Sequence, residues 1–201
     1  MKFTRHGILF VISAPSGAGK TTVVQALRKI GNFSYSVSCT TRTPRAGEVN
    51  GEHYRFLSAV EFQARLDAGD FLEHAKVHQD LYGTLREPVL TSLRNGVDVL
   101  IDIDTQGAAT IRNCDDPIVR QALADIFIMP PNIDELRRRL MKRGTETPQQ
   151  IESRLATAMR EMELWRDYRY TIVSGSVEED LEDVRNIMSA ETFLSRRLTP
   201  D

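Results

Sequence analysis

The sequence predicts an α/β fold in which helices flank a parallel sheet, and two observations carry this prediction. Four short apolar runs are each followed by a segment with helical periodicity, as in parallel strands joined by helical crossovers. These runs are Ile8 to Ile12, Val97 to Ile103, Asp125 to Met129 and Tyr170 to Val173. Three serine or threonine residues stand three positions before glutamate or glutamine, the capping-box spacing that marks a helix start. The pairs are Ser58 with Glu61, Thr147 with Gln150 and Ser176 with Glu179.

Length and composition fit a globular chain of one domain with a smaller insert. Of the 201 residues, 41% are hydrophobic and 27% are charged, which excludes disordered and fibrous classes. The net charge of -2 gives no pull toward nucleic acid or a membrane, so we expect neither as a partner. The N-terminal apolar run is far shorter than the ~20 residues of a membrane span, so we expect no anchor or signal peptide. Two cysteines, Cys39 and Cys114, indicate reduced thiols and a cytoplasmic location.

The first helix is predicted at Thr21 to Ile30, and the stretch that follows it has a different residue pattern. Short alternating segments at His53 to Leu57 and Phe71 to Val77 lie within that stretch, which we interpret as an inserted subdomain over 38–96. The core then comprises 1–37 and 97–201, with a polar, arginine-flanked segment near 139–154 as a mobile lid. A last helix is expected from Val177 toward Arg197. It would pack on the core or on another subunit, so the sequence does not decide between a monomer and a homo-oligomer.

A phosphate-binding loop is predicted where the first strand meets the first helix. Glycines at Gly17 and Gly19 let backbone N–H groups turn inward around phosphate oxygens, Lys20 can neutralise β and γ phosphates, and the Thr21 hydroxyl can ligate magnesium. The full pattern begins with glycine, where this chain has Ala14. The alternative is a glycine-rich turn without a ligand. The residues predicted to bind ATP are Ala14, Pro15, Ser16, Gly17, Ala18, Gly19, Lys20, Thr21 and Thr22.

Further motifs, in the same order along nearly the whole chain, resemble those of the guanylate kinases. They are Ser38 to Glu48, Asn50 to Tyr54, Phe71 to Ala75, Tyr82 to Thr84, Asp102 to Gly107 and the arginine-rich segment that follows. The resemblance implies a P-loop parallel sheet flanked by helices, with an inserted GMP-binding subdomain and a mobile lid. It also implies transfer of the ATP γ-phosphoryl group to GMP, and to dGMP, with magnesium.

The inserted stretch supplies the residue types that a nucleoside monophosphate requires. Arg42 and Arg45 offer guanidinium forks for a monophosphate, and Tyr54 adds a hydroxyl donor. The resemblance places the Glu73 carboxylate against guanine N1 and the 2-amino group, and adenine would leave that carboxylate unpaired. For the arginines the alternative is a solvated loop, and for Glu73 an exposed edge-strand carboxylate. The expected GMP-binding residues are Ser38, Arg42, Arg45, Glu48, Tyr54, Glu73, Tyr82, Thr84, Asp102 and Asp104.

The lid segment concentrates positive charge. By resemblance, Arg139, Arg143 and Arg154 hold the transferring phosphoryl group, and with Lys20 and Arg42 they form the expected catalytic set. The alternative is a solvated basic helix end that complements the helix dipole. In the next helix, Ile151, Leu155, Met159 and Met162 are expected to face inward at helical spacing.

Asp102 ends a predicted buried strand and, with Thr21, is the expected magnesium ligand, directly or through water. A strand-end turn or helix cap is its alternative role. One departure from the guanylate kinase pattern is Ser174-Gly175-Ser176, which stands where an asparagine and acidic residues are common, so adenine contacts stay open. Two other functions fit parts of the sequence: a non-catalytic module that binds a protein partner, and a kinase for another phosphorylated acceptor such as a ribose bisphosphate. The intact Lys20 and the lid arginines argue against the non-catalytic module. Glu73 and Thr84 argue against the kinase for another acceptor.

Overall fold

The computed structural model describes residues 3–77, 79–142 and 147–200. Within these ranges the strands are β1 (Phe3–Arg5), β2 (Leu9–Ser13), β3 (Ser34–Tyr35), β4 (Cys39–Thr40), β5 (Arg55–Phe56), β6 (Phe71–Val77), β7 (Asp80–Leu85), β8 (Val99–Asp102), β9 (Leu123–Met129), β10 (Tyr170–Val173) and β11 (Leu198–Pro200). The helices are α1 (Lys20–Ile30), α2 (Ala59–Asp67), α3 (Arg86–Arg94), α4 (Thr105–Arg112), α5 (Pro117–Ala122), α6 (Ile133–Lys142), α7 (Pro148–Met162) and α8 (Val177–Thr192). Short 3-10 turns lie at Glu163–Asp167 and Ser195–Arg197.

Parallel strands form the central sheet, as the apolar runs predict. In the described part of the chain it has five strands in the order β10-β9-β2-β8-β3. Strand β2 lies in the middle, where Ile12 is opposite Ile126 on one side and Asp102 on the other. Every residue of β2 is buried, because helices cover both faces of the sheet. The carboxyl ends of β2 and β8 therefore meet at one edge.

The two faces of the sheet bury two separate apolar clusters. Side chains alternate along a strand, so Leu9 and Val11 face one cluster with residues of α3, α4 and α5. Phe10 and Ile12 face the other cluster with residues of α1 and α8. The result is a three-layer arrangement in which the sheet lies between two layers of helices.

A second sheet is built from the stretch that the sequence analysis interprets as an insertion. Among the described residues it has four strands in the order β5-β4-β7-β6. Its apolar cover is α2, whose Phe62 stacks on Phe71 with ring centroids 4.5 Å apart. Helix α3 instead places Val89 and Leu93 in a cluster of the central sheet. The subdomain limits of 38 and 96 stay a prediction.

All three capping boxes are confirmed. In each, the serine or threonine side chain accepts from the backbone N–H three residues later, and the glutamate or glutamine accepts in return. The pairs are Ser58 with Glu61, Thr147 with Gln150 and Ser176 with Glu179. The starts of α2, α7 and α8 are therefore fixed by local sequence.

The expectation that the last helix continues toward Arg197 is wrong. Helix α8 ends at Thr192, and the chain turns so that β11 pairs antiparallel with β1. Arg197 is buried in this turn, where Nε donates to Glu191 at 3.0 Å and Nη1 donates to the carbonyl of Gln121 at 2.7 Å. A continued helix would carry the guanidinium away from these buried acceptors.

Helices α6 and α7 pack against each other through a small leucine-rich cluster. Leu136 and Leu140 of α6 meet Leu155 and Ala158 of α7. The prediction that Met159 faces inward is wrong, because the buried stripe runs through Leu155 and Ala158 and leaves Met159 54% exposed. Residues 143–146, which join the two helices, lie outside the described part. None of the described helices is long and apolar enough to cross a membrane.

Candidate active site

The loop between β2 and α1 has the backbone of a phosphate cradle. Gly17 and Gly19 adopt φ values of 94° and 104°, a left-handed conformation that other residues rarely take. A Cβ on Gly17 would also lie 2.7 Å from Leu140 Cδ2, so a larger residue would displace that leucine side chain as well. The loop is followed at once by Lys20, the first residue of α1, which puts a helix N-terminus behind it. Its missing first glycine is tolerated, because Ala14 is 6% exposed and lies in an apolar cluster.

Lys20 and Asp102 meet at the carboxyl edge of the sheet. The ammonium group forms an ion pair with Asp102 and donates to the carbonyl of Ile103 at 2.7 Å. Adjacent strands β2 and β8 produce this pairing, since Ile12 and Asp102 are opposite each other. The predicted phosphate lysine thus stands next to the predicted magnesium ligand. Asp102 is engaged with a cation and does not cap a helix; the cap of α4 is Asp104.

A pocket of about 440 Å³ opens above the phosphate loop. Four parts of the fold line it: the loop itself, the end of β6 at Lys76 and Val77, the start of α4 and one face of α7. It brings together residues that the sequence predicts for the donor site and the transfer step, namely Ala14 to Thr21 and Arg154, with Asp104, which the sequence predicts for GMP binding. The pocket also contains Glu161, which the sequence analysis missed. A usable signal existed, because Glu161 follows Arg154 by seven residues, or two helical turns.

Arg139 lies on the other side of the loop. Its Nη1 donates to the carbonyl of Ala18 at 2.7 Å and to Ser174 Oγ at 3.0 Å, and its Nε donates to Glu135 at 2.8 Å. These residues line a second pocket of about 530 Å³. Arg139 and Arg154 therefore line different pockets in this structure, although the sequence analysis assigns them to one phosphoryl group. The third predicted arginine, Arg143, lies outside the described residues.

The basic residues predicted for the acceptor phosphate cluster around one carboxylate. Arg42 Nη2 donates to both oxygens of Glu48, at 2.8 and 3.0 Å, and the backbone N–H of Arg45 donates to Glu48 at 2.7 Å. The hydrogen bond from Arg42 lowers the pKa of Glu48. The Arg42 guanidinium also lies 5.4 Å from the ring centroid of Tyr54, which contacts Tyr82 edge to face at 5.9 Å. Glu48 therefore holds the Arg42 side chain and the backbone of Arg45, and Arg42 in turn lies beside Tyr54.

The Tyr54 hydroxyl remains a donor near neutral pH. Burial raises its pKa above the usual value of 10.0, and the charge of Asp102 raises it further. Lys76 and Val77 of β6 line the pocket above the phosphate loop, so the second sheet and the carboxyl edge of the central sheet border the same cleft. Ser38 begins the same region, and its carbonyl accepts from the N–H of Arg55 at 2.8 Å.

Glu73 is a buried carboxylate with one oxygen held in place. It is 3% exposed, which excludes the alternative of an exposed edge-strand residue. The Thr84 hydroxyl, also buried, donates to Glu73 Oε1 at 2.6 Å. Burial is the main cause that raises the pKa of Glu73 to about 7, and the nearby charge of Asp104 acts in the same direction.

Gly107 is a second neighbour of Glu73 that the sequence analysis did not assign. A Cβ at this position would lie 2.6 Å from Glu73 Oε2, so a larger residue would displace the carboxylate. The N–H of Gly107 donates to the Asp104 carboxylate at 2.8 Å, which caps α4. One helix start thereby holds Asp104 and makes space for Glu73.

Comparison with known proteins identifies the family. The family described as guanylate kinase matches residues 7–191 of this chain. The chain belongs to the guanylate kinase family. The guanylate kinase of Clostridium tetani (strain Massachusetts / E88) is 42% identical over 186 residues, covering 92% of this chain and 86% of the relative. That of Chelativorans sp. (strain BNC1) is 43% identical over 195 residues, covering 96% and 87%.

A solved structure agrees. The guanylate kinase from Anaplasma phagocytophilum superposes with a TM-score of 0.82 at 33% identity, covering 98% of this chain and 93% of that one. As a guanylate kinase, the chain is an enzyme, a nucleoside monophosphate kinase, and the donor that its family uses is ATP. The family assignment favours the kinase over the non-catalytic module and over the kinase for a ribose bisphosphate.

Proposed function

We propose that this guanylate kinase transfers the γ-phosphoryl group of ATP to GMP and dGMP with magnesium, giving ADP and GDP or dGDP. The observation that carries the choice of acceptor is the buried Glu73 carboxylate, which accepts a hydrogen bond from the Thr84 hydroxyl. Guanine presents two adjacent donors, N1–H and the 2-amino group, which match a carboxylate. We include dGMP because no residue in this proposal is assigned to the ribose 2′ position.

The donor half of the proposal uses the loop and the residues around it. Backbone N–H groups from Gly17 to Thr21 bind the β and γ phosphates, and Ala14, Pro15, Ser16 and Thr22 complete the ATP-binding segment. Lys20 exchanges its ion pair with Asp102 for the phosphates, whose charge is larger. The pocket of about 530 Å³ beside Ser174 and Gly175 has the size and position for the adenine end of the donor.

Thr21 and Asp102 fit a magnesium site by the chemistry of their donors. Magnesium prefers oxygen ligands and is commonly held by one or two protein groups together with substrate phosphates. The Thr21 hydroxyl lines the same pocket as Lys20, whose partner is the Asp102 carboxylate. When bound, the ion would neutralise charge on the donor phosphates.

The acceptor half binds GMP through both ends of the molecule. Arg42, Arg45, Tyr54 and Tyr82 donate to the monophosphate, while Glu48 keeps Arg42 oriented. Glu73 and Thr84 take the guanine, with Ser38 on the O6 side and Asp104 on the amino side. The cost of burying Glu73 is recovered only by a base with two donors, which is the physical source of selectivity.

Phosphoryl transfer then requires positioning and charge neutralisation more than covalent chemistry. An oxygen of the GMP phosphate attacks the γ phosphorus, the bond from that phosphorus to the β–γ bridging oxygen breaks, and ADP leaves. Lys20, Arg42, Arg139, Arg143 and Arg154 stabilise the charge that develops. Closure of the subdomain over 38–96 and of the lid near 139–154 on the core excludes water and brings the arginines to the reacting group. A cytoplasmic location stays a prediction from cysteine content.

The test follows ADP formation from ATP with magnesium while GMP, dGMP, AMP, CMP and UMP are offered separately. We expect turnover with GMP and dGMP, at least 10²-fold faster than with the other nucleotides. Lys20→Ala should lower kcat/KM by at least 10²-fold. Lys29→Ala, an exposed lysine at the other end of α1, is the matched control and should behave as the unaltered enzyme. Equal rates with GMP and AMP would refute the role of Glu73, and no turnover with any nucleotide would refute the reaction.

A further inference from the structure

Helix α7 presents two different faces to the rest of the molecule. Its apolar face, with Leu155 and Ala158, packs on the leucines of α6. Its other face turns Arg154, Thr157 and Glu161 into the pocket above the phosphate loop. These three residues follow one another at intervals of three and four, so they form one stripe along the helix. The stripe therefore carries a predicted catalytic arginine at one end and a carboxylate at the other.

Glu161 contacts the phosphate loop directly. Its Oε2 accepts a hydrogen bond from the backbone N–H of Ser16 at 3.0 Å, across 145 positions of sequence. The side chain is half-buried, and burial is the main cause that raises its pKa. Ser16 precedes the segment Gly17 to Thr21 that we assign to phosphate binding, so the bond to Glu161 uses none of the N–H groups of that segment.

Helices α6 and α7 contact three consecutive residues of the phosphate loop. Glu161 of α7 binds Ser16, the Leu140 side chain of α6 closes on Gly17, and Arg139 of α6 donates to the carbonyl of Ala18 at 2.7 Å. Each contact uses a different chemistry, namely an ionic hydrogen bond, apolar packing and a guanidinium donor. Both helices therefore contact the loop. Glu161 provides the contact from α7, the helix that also carries Arg154.

We propose that Glu161 is a positioning residue for phosphoryl transfer, which sets the distance between the phosphate loop and the face of α7 that carries Arg154. Two helical turns, about 11 Å, separate the two residues along α7, so a shift at Glu161 is transmitted to Arg154 by a rigid element. A displacement of about 1 Å at a reacting group can lower a rate by 10²-fold. This inference rests on the proposed function, because it takes Arg154 as a group that acts on the phosphoryl.

The negative charge of Glu161 has an electrostatic cost at this place, which a neutral hydrogen-bond acceptor would avoid. It lines the pocket in which we place the donor phosphates, and like charges repel. Its advantage is that an ionised acceptor makes a shorter and stronger bond with a backbone N–H than a neutral one does. Glutamine keeps an acceptor of the same length, so Glu161→Gln should retain most of the positioning, whereas alanine removes it.

The experiment compares Glu161→Ala, Glu161→Gln, Arg154→Ala and the double variant Glu161→Ala/Arg154→Ala in steady-state assays with ATP and GMP, together with thermal unfolding. Glu161→Ala should lower kcat about tenfold and leave the KM for GMP unchanged, because the GMP site does not include α7. Glu161→Gln should stay within about threefold of the unaltered kcat. The control is Glu163→Ala, an exposed glutamate just beyond α7, which should leave kcat and both KM values unchanged.

The double variant separates positioning from a general structural effect. If Glu161 acts through Arg154, adding Glu161→Ala to Arg154→Ala should lower kcat by less than about twofold further. The same tenfold loss in both backgrounds, or an unaltered kcat in Glu161→Ala alone, would overturn the inference. If Arg154→Ala itself leaves kcat unchanged, the proposed role of Arg154 fails as well. A loss with Arg154→Ala but none with Glu161→Ala overturns this inference and leaves the proposed function standing.

Discussion

Replacing Glu73 by glutamine should stabilise the ligand-free protein at pH 8 and leave its stability nearly unchanged at pH 4. Glu73 is 3% exposed, and burial raises its pKa from 4.5 to about 7. Between these two values the unfolded chain has released a proton that the folded chain still holds, so stability falls as the pH rises. At 1.36 kcal/mol per pH unit, the loss amounts to about 1 kcal/mol at pH 5, about 2 at pH 6 and about 3 at pH 7 and above. Glutamine has nearly the same shape and does not ionise, so it avoids this loss.

The assay is urea unfolding of the two proteins at pH 4, 5, 6, 7 and 8 without nucleotide. The quantity of interest is the difference in unfolding free energy, because other groups titrate equally in both proteins and cancel. Glu182→Gln is the matched control, since this glutamate lies exposed on α8 and should give no pH-dependent difference. Two results would refute the claim that burial of this carboxylate lowers stability. One is a difference in unfolding free energy that is the same at every pH, and the other is an unaltered protein that is more stable than Glu73→Gln at pH 8. Confirmation would mean that guanine selectivity is obtained at the expense of stability.

Three further substitutions test other parts of the structure. Gly107→Ala would place a Cβ 2.6 Å from Glu73 Oε2, so the KM for GMP should rise at least tenfold while the KM for ATP stays unchanged; equal KM values for GMP would contradict the close contact. Arg197→Ala leaves the fully buried Glu191 without this partner and should lower the unfolding free energy by about 3–5 kcal/mol, and a urea titration showing a loss under about 1 kcal/mol would argue against the ion pair. Ser58→Ala removes the N-cap of α2 and should lower stability by about 1 kcal/mol without changing kcat.

Features that depend on neighbours in sequence are the ones that the sequence predicts well. Each capping box joins residues three positions apart, and all three are confirmed. Strand β10 has the predicted bounds Tyr170–Val173, because its apolar run is set off from the helices on both sides. The end of α8 escaped prediction because it depends on where Arg197 finds its acceptors. One of them, the carbonyl of Gln121, is 76 positions away.

The residues of the candidate site also divide into those that the local sequence predicts and those that it does not. Local pattern predicts the phosphate loop, because the required glycines, lysine and helix start are consecutive. The burial of Glu73 does not follow from alternation, since an irregularity in the pairing of β6 with β7 leaves both Leu72 and Glu73 buried. Gly107 and Glu161 act through contacts with residues distant in sequence, 34 positions from Glu73 and 145 from Ser16, so composition and spacing alone do not reveal their partners.

The pairing of β1 with β11 has a consequence for synthesis of the chain on a ribosome. Phe3 is opposite Pro200, and β2 lies between strands that end at Asp102 and Met129. At about 5–20 residues per second, roughly 10 to 40 seconds separate the emergence of β1 from that of its partner. Throughout the first part of this interval the apolar segment of β2 has no strand to join and stays open to other nascent chains. The segment that begins the nucleotide site is therefore made early and becomes folded only after more than half of the 201 residues have been translated.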